Sequence, residues 1–193
     1  MQAAISPVRR DYDVIIVGAG VVGAMVARFL SRFDLDILWI EKEADICTGT
    51  TSANSAVIHG GYDAVPGSLK AELNVRGNAM WDRLAQELHF SFDRCGTYVV
   101  AVGAEERHAL EEQAARGRAN GVPVEIISGD EMRRREPLVT PETSGALTCS
   151  TGGVCDPWGA TIAAAENAVM NGVTLLRSTQ FEDFLWAQVE CSS

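Results

Sequence analysis

Three glycines near the amino end of the chain are spaced as in a turn that could bind a dinucleotide. Gly18, Gly20 and Gly23 form the pattern GxGxxG directly after the apolar run DVIIV. In a strand–turn–helix unit, the first glycine permits the tight turn, the second lets a pyrophosphate approach the backbone, and the third lets the helix pack close to the sheet. The amino end of that helix would offer free N–H groups and a partial positive charge to phosphate groups.

An acidic residue stands where such a site would need one. Glu41 ends the apolar run ILWI about 20 residues after the second glycine, and its carboxylate could accept hydrogen bonds from both hydroxyls of a ribose. Ala27 is small enough to keep the intervening helix close to the sheet. The combination favours a dinucleotide site over a glycine-rich turn of another α/β protein. By itself it does not distinguish FAD from NAD.

The segment that follows favours FAD. Residues 49–55 read GTTSANS and supply hydroxyl groups, an amide and backbone donors with little bulk. Such a segment suits a chain that runs along the pyrophosphate and ribityl of an extended flavin cofactor. The alternative is a solvated Ser/Thr loop. Because the apolar residues 56–58 follow immediately, we expect them to be buried, which weighs against that alternative.

The elements that would position these groups have the pattern of an α/β fold. Residues 13–17 and 37–40 are continuous apolar runs, which predict parallel strands, and 13–17 is expected to be buried on both faces. Helical spacing over residues 21–33 joins them into a βαβ unit. Pro66 is expected to open a helix that runs to about Leu88.

The rest of the chain alternates less regularly. We predict strands at 95–102, 124–127, 146–149 and 173–176, and helices at 104–120, 130–136 and 156–171. We therefore expect a discontinuous Rossmann-like domain made of residues 1–90 and 150–193. Residues 91–149 would form an inserted mixed α+β lobe for substrate.

Composition excludes several classes of protein. The net charge of −10 disfavours nucleic acid as a partner, because phosphate contacts need clustered Lys and Arg. No apolar run reaches about 18 residues, and residues 1–12 lack the apolar stretch and small-residue cleavage site of a secretory signal, so we expect neither a membrane span nor a signal peptide. The five cysteines show no C-x-x-C spacing, so we expect no metal site and a reducing cytoplasmic location. Association with the inner face of the membrane is an alternative.

The chain resembles the D-amino-acid-oxidase-like flavoproteins. Within them it is similar to the group of FAD-dependent glycerol-3-phosphate dehydrogenases and L-2-hydroxyglutarate oxidases. The matching stretches lie at residues 13–41, 49–61, 66–71, 95–96, 136–137 and 152–157. The resemblance implies a Rossmann-like FAD-binding domain of the GR2 type of flavoprotein, incomplete at the carboxyl end. Residues 187–193 do not resemble a family continuation, so we expect a truncated or frameshifted product.

The resemblance also implies which residues hold FAD. The glycine turn would contact the pyrophosphate, and the acidic residue would bind the adenosine ribose. The hydroxyl-rich segment would line the pyrophosphate and ribityl, residues 56–61 would approach the isoalloxazine ring, and a later backbone group would contact adenine. The residues carried over are Gly18, Ala19, Gly20, Val22, Gly23, Glu41, Lys42, Thr50, Thr51, Ser52, Asn54, Ser55, Ala56, Ile58, Gly60 and Phe181.

The reaction implied is hydride transfer to flavin from a small hydroxy substrate of the glycerol 3-phosphate or L-2-hydroxyglutarate type. His59 and Tyr62 are the nearest candidates for a catalytic role. Glycerol-3-phosphate dehydrogenases commonly carry an Arg just after the His-x-Gly segment, where this chain has residues 62–65, YDAV. Tyr62 followed by residues 66–70, PGSLK, looks closer to the hydroxyglutarate branch. The electron acceptor could be oxygen, a quinone or a partner subunit. Two alternatives stay open, an FAD-binding fragment without turnover and an NAD-binding dehydrogenase.

Overall fold

The computed structural model describes residues 11–184 of the chain. The chain divides into two compact units, Met1–Ala53 with Thr161–Ser193, and Asn54–Ala160, which we call the terminal unit and the central unit. These limits differ from the predicted boundaries near residues 90 and 150, and the division into a cofactor domain and a substrate lobe stays a prediction. Residues 187–193, expected to depart from the family, lie outside the described residues.

The helices and strands alternate along the described chain. In order they are β1 Val14–Val17, α1 Val21–Leu30, β2 Ile37–Ile40, β3 Val57–Ile58, α2 Leu69–Asn78, α3 Trp81–Leu88, β4 Phe92–Asp93, β5 Thr97–Val102, α4 Gly103–Ala119, β6 Val124–Ser128, α5 Gly129–Arg135, β7 Thr143–Cys149, β8 Gly153–Cys155, α6 Pro157–Met170 and β9 Thr174–Leu176. The α/β prediction is confirmed. No helix among these residues is long and apolar enough to cross a membrane.

The terminal unit contains a parallel sheet in the order β1-β2-β9. The central strand β2 is well covered, and Trp39 within it has no exposed surface. Helix α1 packs close to this sheet through Ala24 and Ala27, both fully buried, because alanine lets the helix approach. The expected βαβ unit is therefore present, with α1 ending at Leu30.

The prediction that the first strand is buried on both faces is wrong. Ile15 and Val17 are 57% and 58% exposed, whereas Ile16 between them is 8% exposed. Successive residues of a strand point to opposite faces, so one face of β1 is covered and the other is open. Among the described residues β1 has one hydrogen-bonded neighbour, β2, and it lies at the edge of the sheet.

The prediction of one helix from Pro66 to Leu88 is also wrong. Helix α2 begins at Leu69, where the Ser68 hydroxyl accepts a hydrogen bond from the Ala71 N–H at 3.2 Å. A serine cap satisfies a donor of the first turn, which Pro66 cannot do from its earlier position. The helix ends at Asn78, and α3 starts afresh at Trp81.

The central unit contains two antiparallel sheets, in the orders β3-β8-β4 and β5-β7-β6. Helix α4 packs on the second sheet, and their shared core is made of Ala101, Leu110, Ala114 and Leu147. A second cluster joins Ile127 and Ala146 to Met132 of α5. Residues 91–149 contain both helices and antiparallel strands, and β7 begins at residue 143, three residues earlier than predicted.

Candidate functional site

The glycine turn of the terminal unit is held by its neighbours. Gly18 has φ +96°, a backbone conformation that favours glycine. Its N–H donates to Ile40 O at 2.8 Å, and its carbonyl accepts from Trp39 Nε1 at 2.9 Å. A Cβ on Gly23 would overlap that same carbonyl oxygen, so the third glycine is required by the close approach of α1 to the turn.

Helix α1 starts without a side-chain cap of its own. Its N-cap is Gly20, which has no side chain to satisfy the N–H groups of the first turn. Thr51 instead reaches the helix start, and its Oγ1 accepts from the Val21 N–H at 3.0 Å. A Cβ on Gly20 would lie 3.0 Å from that hydroxyl oxygen. The hydroxyl-rich segment and the helix amino end therefore meet, as the sequence predicts.

Glu41 is the acidic group of the site and is only 8% exposed. Its Oε2 accepts from the Ala19 N–H at 2.6 Å, and its Oε1 accepts from the Glu43 N–H at 2.9 Å. Burial by itself would raise the pKa of Glu41, but hydrogen bonds from backbone N–H groups and the nearby Lys42 ammonium hold that pKa below its ordinary value of 4.5. The carboxylate is thus kept ionised beside the glycine turn.

A crevice of about 590 Å³ opens between these groups. Seven of the residues predicted to hold the cofactor line it, together with one residue of the predicted hydroxyl-rich segment and two residues that no sequence pattern marked. The seven are Gly18, Ala19, Gly20, Glu41, Lys42, Thr50 and Thr51, the segment residue is Gly49, and the two unmarked ones are Glu43 and Thr48.

Three other predicted residues of the terminal unit have different surroundings. Val22 is 74% exposed on the first turn of α1. The Ser52 hydroxyl donates to Gly49 O at 2.8 Å and so closes the turn of its own segment. Phe181 lines a second crevice, of about 350 Å³, together with Gly18 and Glu41. Thr179 and Gln180, which no sequence pattern marked, also line this second crevice.

The remaining predicted cofactor residues belong to the central unit. Asn54 Oδ1 accepts from the Ala56 N–H at 2.7 Å, which stabilises a turn in which Ala56 has φ +60°. Ser55 is exposed, and Ile58 lies in β3. Residues 56–58 are half-buried rather than fully buried as expected, because β3 has one hydrogen-bonded neighbour, β8, among the described strands.

The two candidate catalytic groups differ in their surroundings. His59 follows β3 and is exposed. Tyr62 is half-buried and packs against the core cluster of the central unit. Burial raises the pKa of the Tyr62 phenol above its ordinary value of 10.0. Within residues 11–184, no group of His, Cys, Asp and Glu side chains is arranged to hold a metal ion.

The terminal unit has the features of a dinucleotide-binding protein of the Rossmann type. Its parallel sheet carries a glycine turn, a helix amino end and a buried carboxylate, which surround one crevice. The family model of the FAD dependent oxidoreductases (DAO) matches residues 13–191, and the chain belongs to this family. The predicted family is therefore confirmed, and with it FAD as the cofactor of the family. The alternative of an NAD-binding dehydrogenase is contradicted.

Several known proteins are similar to this chain. A glycerol 3-phosphate dehydrogenase of Caloramator mitchellensis is 46% identical over 89% of this chain and 36% of its own length. A mitochondrial L-2-hydroxyglutarate dehydrogenase of Pongo abelii is 33% identical over 94% of this chain and 44% of its own. The chain thus spans less than half the length of these relatives.

A solved structure is similar over most of the chain. It is a dithionite-reduced L-α-glycerophosphate oxidase from Mycoplasma pneumoniae with FAD bound, at 33% identity and a TM-score of 0.82. The match covers 88% of this chain and 45% of that one. The fold described above is accordingly that of an FAD-binding family member.

Proposed function

We propose that the crevice of the terminal unit binds FAD through its adenosine diphosphate half. The observation that carries this proposal is the amino end of α1, whose N-cap Gly20 has no side chain, beside the ionised Glu41 carboxylate, with Gly20 and Glu41 lining one open crevice. The helix end would take the pyrophosphate, since its N–H groups and dipole favour an anion. The missing side chain of Gly20 leaves room for the phosphates.

Glu41 fits the ribose in this proposal. Its Oε2 accepts from the Ala19 N–H and its Oε1 from the Glu43 N–H, and the backbone of Lys42 also donates to the carboxylate. A carboxylate has about four lone-pair sites, so it keeps the capacity to accept from a ribose hydroxyl. The backbone donors orient the carboxylate before any ligand arrives. Phe181 and its neighbours, beside Glu41 in the second crevice, would receive the adenine.

We propose further that the whole protein oxidises a small hydroxy compound. The flavin would accept the hydride, which is the chemistry that this cofactor supplies. The 46% identity to a glycerol 3-phosphate dehydrogenase favours glycerol 3-phosphate as the substrate. L-2-hydroxyglutarate is the second candidate, supported by the relatives of that name and by Tyr62. An electron acceptor completes the reaction, with oxygen, a quinone and a partner subunit as the alternatives.

Of the two candidate catalytic groups, His59 suits proton transfer better than Tyr62. The imidazole is exposed and can reach a substrate, whereas the Tyr62 phenol packs on the core of the central unit. A raised pKa also makes the phenol a poorer base near neutral pH. The free thiols of Cys95, Cys149 and Cys155 support a reducing location such as the cytoplasm.

Titration of the purified chain with FAD tests the cofactor proposal. We expect a bound flavin with an absorbance maximum at about 450 nm. Glu41→Gln should weaken FAD binding by roughly ten-fold or more, because it removes charge-assisted acceptors of the ribose hydroxyls. Glu166→Gln, which removes the same charge at an exposed position of α6, is the matched control. Equal loss in both variants would contradict the proposed role of Glu41.

Reduction of a dye by glycerol 3-phosphate or by L-2-hydroxyglutarate tests the activity. Turnover with glycerol 3-phosphate alone would support the first substrate, and turnover with L-2-hydroxyglutarate alone would support the second. Bound flavin with neither reaction would indicate an FAD-binding fragment without turnover. Absence of FAD binding would overturn the proposed function as a whole.

A further inference from the structure

The segment His59-Gly60-Gly61 is a tightly held loop of the central unit. Gly60 and Gly61 are buried, although His59 itself is exposed. A Cβ on Gly60 would overlap Cys149 Sγ and would lie 3.0 Å from Thr151 Oγ1. The loop backbone therefore packs directly on the turn that joins β7 and β8. A loop so placed presents the His59 side chain from a defined position.

Asn78, the last residue of α2, binds both sides of this packing. The side chain is buried, with the residue only 6% exposed. Its Nδ2 donates to His59 O at 3.0 Å and to Thr151 O at 2.7 Å. Its Oδ1 accepts from Arg94 Nη1 at 2.9 Å. Both N–H donors and the oxygen of the amide are thus used, and they join the loop to the β7–β8 turn.

Arg94, between β4 and β5, holds Asn78 in turn. Its Nη1 also donates to Thr151 O, and its Nη2 donates to Asn78 O at 3.1 Å. Its Nε and Nη2 hold the Asp82 carboxylate, and the hydrogen bonds from Arg94 lower the pKa of Asp82. All five N–H donors of the guanidinium have an acceptor, which only its planar fork allows.

We propose that Asn78 and Arg94 are the positioning residues of the His59–Gly61 loop. They act on the backbone carbonyls of His59 and Thr151, and so they fix where the exposed imidazole stands without touching it. The inference rests on the proposed function and on the expectation from the family resemblance that residues 56–61 approach the flavin ring. Asn78 is buried, the Arg94 side chain is 26% exposed, and their polar groups satisfy each other, so neither partner can be replaced singly without leaving others unpaired.

Hydrogen exchange of the full chain tests the positioning role without any cofactor. Asn78→Leu removes the three hydrogen bonds of the amide, and Arg94→Lys keeps the charge but loses the fork. We expect both to speed amide exchange at residues 56–61 by about ten-fold or more, with little change in β5 and β6. Arg83→Lys is the matched control, because Arg83 is an exposed arginine whose described partner is Glu87 on the same helix.

Asp82→Asn is a second control, which distinguishes loss of the Arg94 contacts to Asn78 and Thr151 from a general failure to fold. The guanidinium would still donate to Asn78 and Thr151, so exchange at residues 56–61 should stay within about two-fold of the wild type. Unchanged exchange at this loop in Arg94→Lys would overturn the proposal. So would an equal rise in β5 and β6, because that result would mean a general structural role.

The reduction potential of bound flavin provides a second readout. With FAD bound, Asn78→Leu and Arg94→Lys should shift the potential, whereas Arg83→Lys should leave it at the wild-type value. An unchanged reduction potential in both variants would show that the loop does not act on the flavin. That result would overturn the part of the inference that places the loop beside the flavin ring. If the wild-type chain binds no FAD, the proposed function fails, and the exchange measurement still decides whether the two residues hold the loop.

Discussion

At the scale of single residues, Glu41 links the stability of the terminal unit to its binding site. The carboxylate is buried, yet two backbone N–H groups bind its oxygens at 2.6 and 2.9 Å. Its hydrogen bonds outweigh the cost of burial, because the pKa of the group is lowered rather than raised. The same contacts hold the glycine turn and the segment after β2 together, so the ligand site is formed in advance.

This lowered pKa predicts a pH dependence of stability. Ionised Glu41 stabilises the folded chain above its ordinary pKa of 4.5, and that contribution is lost as the pH falls through the lower folded value. We therefore expect the gap in unfolding free energy between wild type and Glu41→Gln to shrink as the pH is lowered from about 6 to about 3. Urea unfolding at several pH values measures the gap.

The control for this pH series is Glu166→Gln, which removes an exposed carboxylate of the same unit. The difference in unfolding free energy between Glu166→Gln and the wild type should stay nearly constant over the same pH range. A gap for Glu41→Gln that does not change with pH would show that the carboxylate contributes through its shape alone. That outcome would contradict the role of its charge in organising the crevice.

At the scale of elements, the break between α2 and α3 is built from tertiary contacts. The chain from Leu69 to Leu88 has few residues that disfavour a helix, apart from Gly77. The α2 helix nevertheless ends at Asn78, whose carbonyl and side chain are both bound by Arg94. The Arg94 guanidinium donates to the Asn78 carbonyl, which the next turn of a continuous helix would otherwise do, and α3 begins separately at Trp81.

Gly77 offers a stability prediction for this element. It lies inside α2, and a Cβ added there would meet no atom within 4 Å. Alanine loses less backbone entropy in a helix than glycine, so Gly77→Ala should stabilise the chain by about 0.5–1 kcal/mol. Thermal or urea unfolding measures the change. A destabilised Gly77→Ala variant would mean that the helix junction needs the flexibility of glycine.

Gly23→Ala is the contrasting variant in α1. The same added methyl group would overlap the Gly18 carbonyl oxygen, which also accepts from Trp39. We expect a loss of about 2 kcal/mol or more, because the helix must move away from the turn. Equal effects of the two alanine substitutions would contradict the close approach of α1 to the sheet.

At the scale of the whole molecule, the terminal unit exposes several large apolar side chains. Phe29 and Phe33 are each 55% exposed and contact each other, with ring centroids 5.9 Å apart. Ile15 and Val17 on the open face of β1 are similarly exposed. Extensive apolar exposure promotes self-association, although the net charge of −10 opposes it by repulsion.

We expect the purified 193-residue chain to bind an apolar dye and to associate more strongly as salt screens its charge. The double variant Phe29→Gln with Phe33→Gln should lower dye fluorescence by about two-fold or more. Leu138→Gln, which removes one apolar side chain of the central unit that is 99% exposed, is the control. Light scattering across a salt series checks association, and equal dye binding by all three chains would contradict the prediction.

The local pattern of the sequence determined the nucleotide-binding unit. Gly18, Gly20, Gly23 and Glu41 lie within one βαβ unit, whose geometry depends on neighbouring residues, and this part of the crevice could be predicted before the fold was known. The same reasoning could not anticipate Glu43 or Thr48, because no residue type marks a side chain that merely lines a crevice.

Tertiary structure alone decided which faces are covered and how the His59 loop is held. The apolar run of β1 predicted burial, but burial depends on what packs on each face, and Ile15 and Val17 are open. Asn78 binds Thr151, 73 positions further along the chain. Hydrogen bonds between such distant residues follow from the packing of whole elements, which no local pattern of residues encodes.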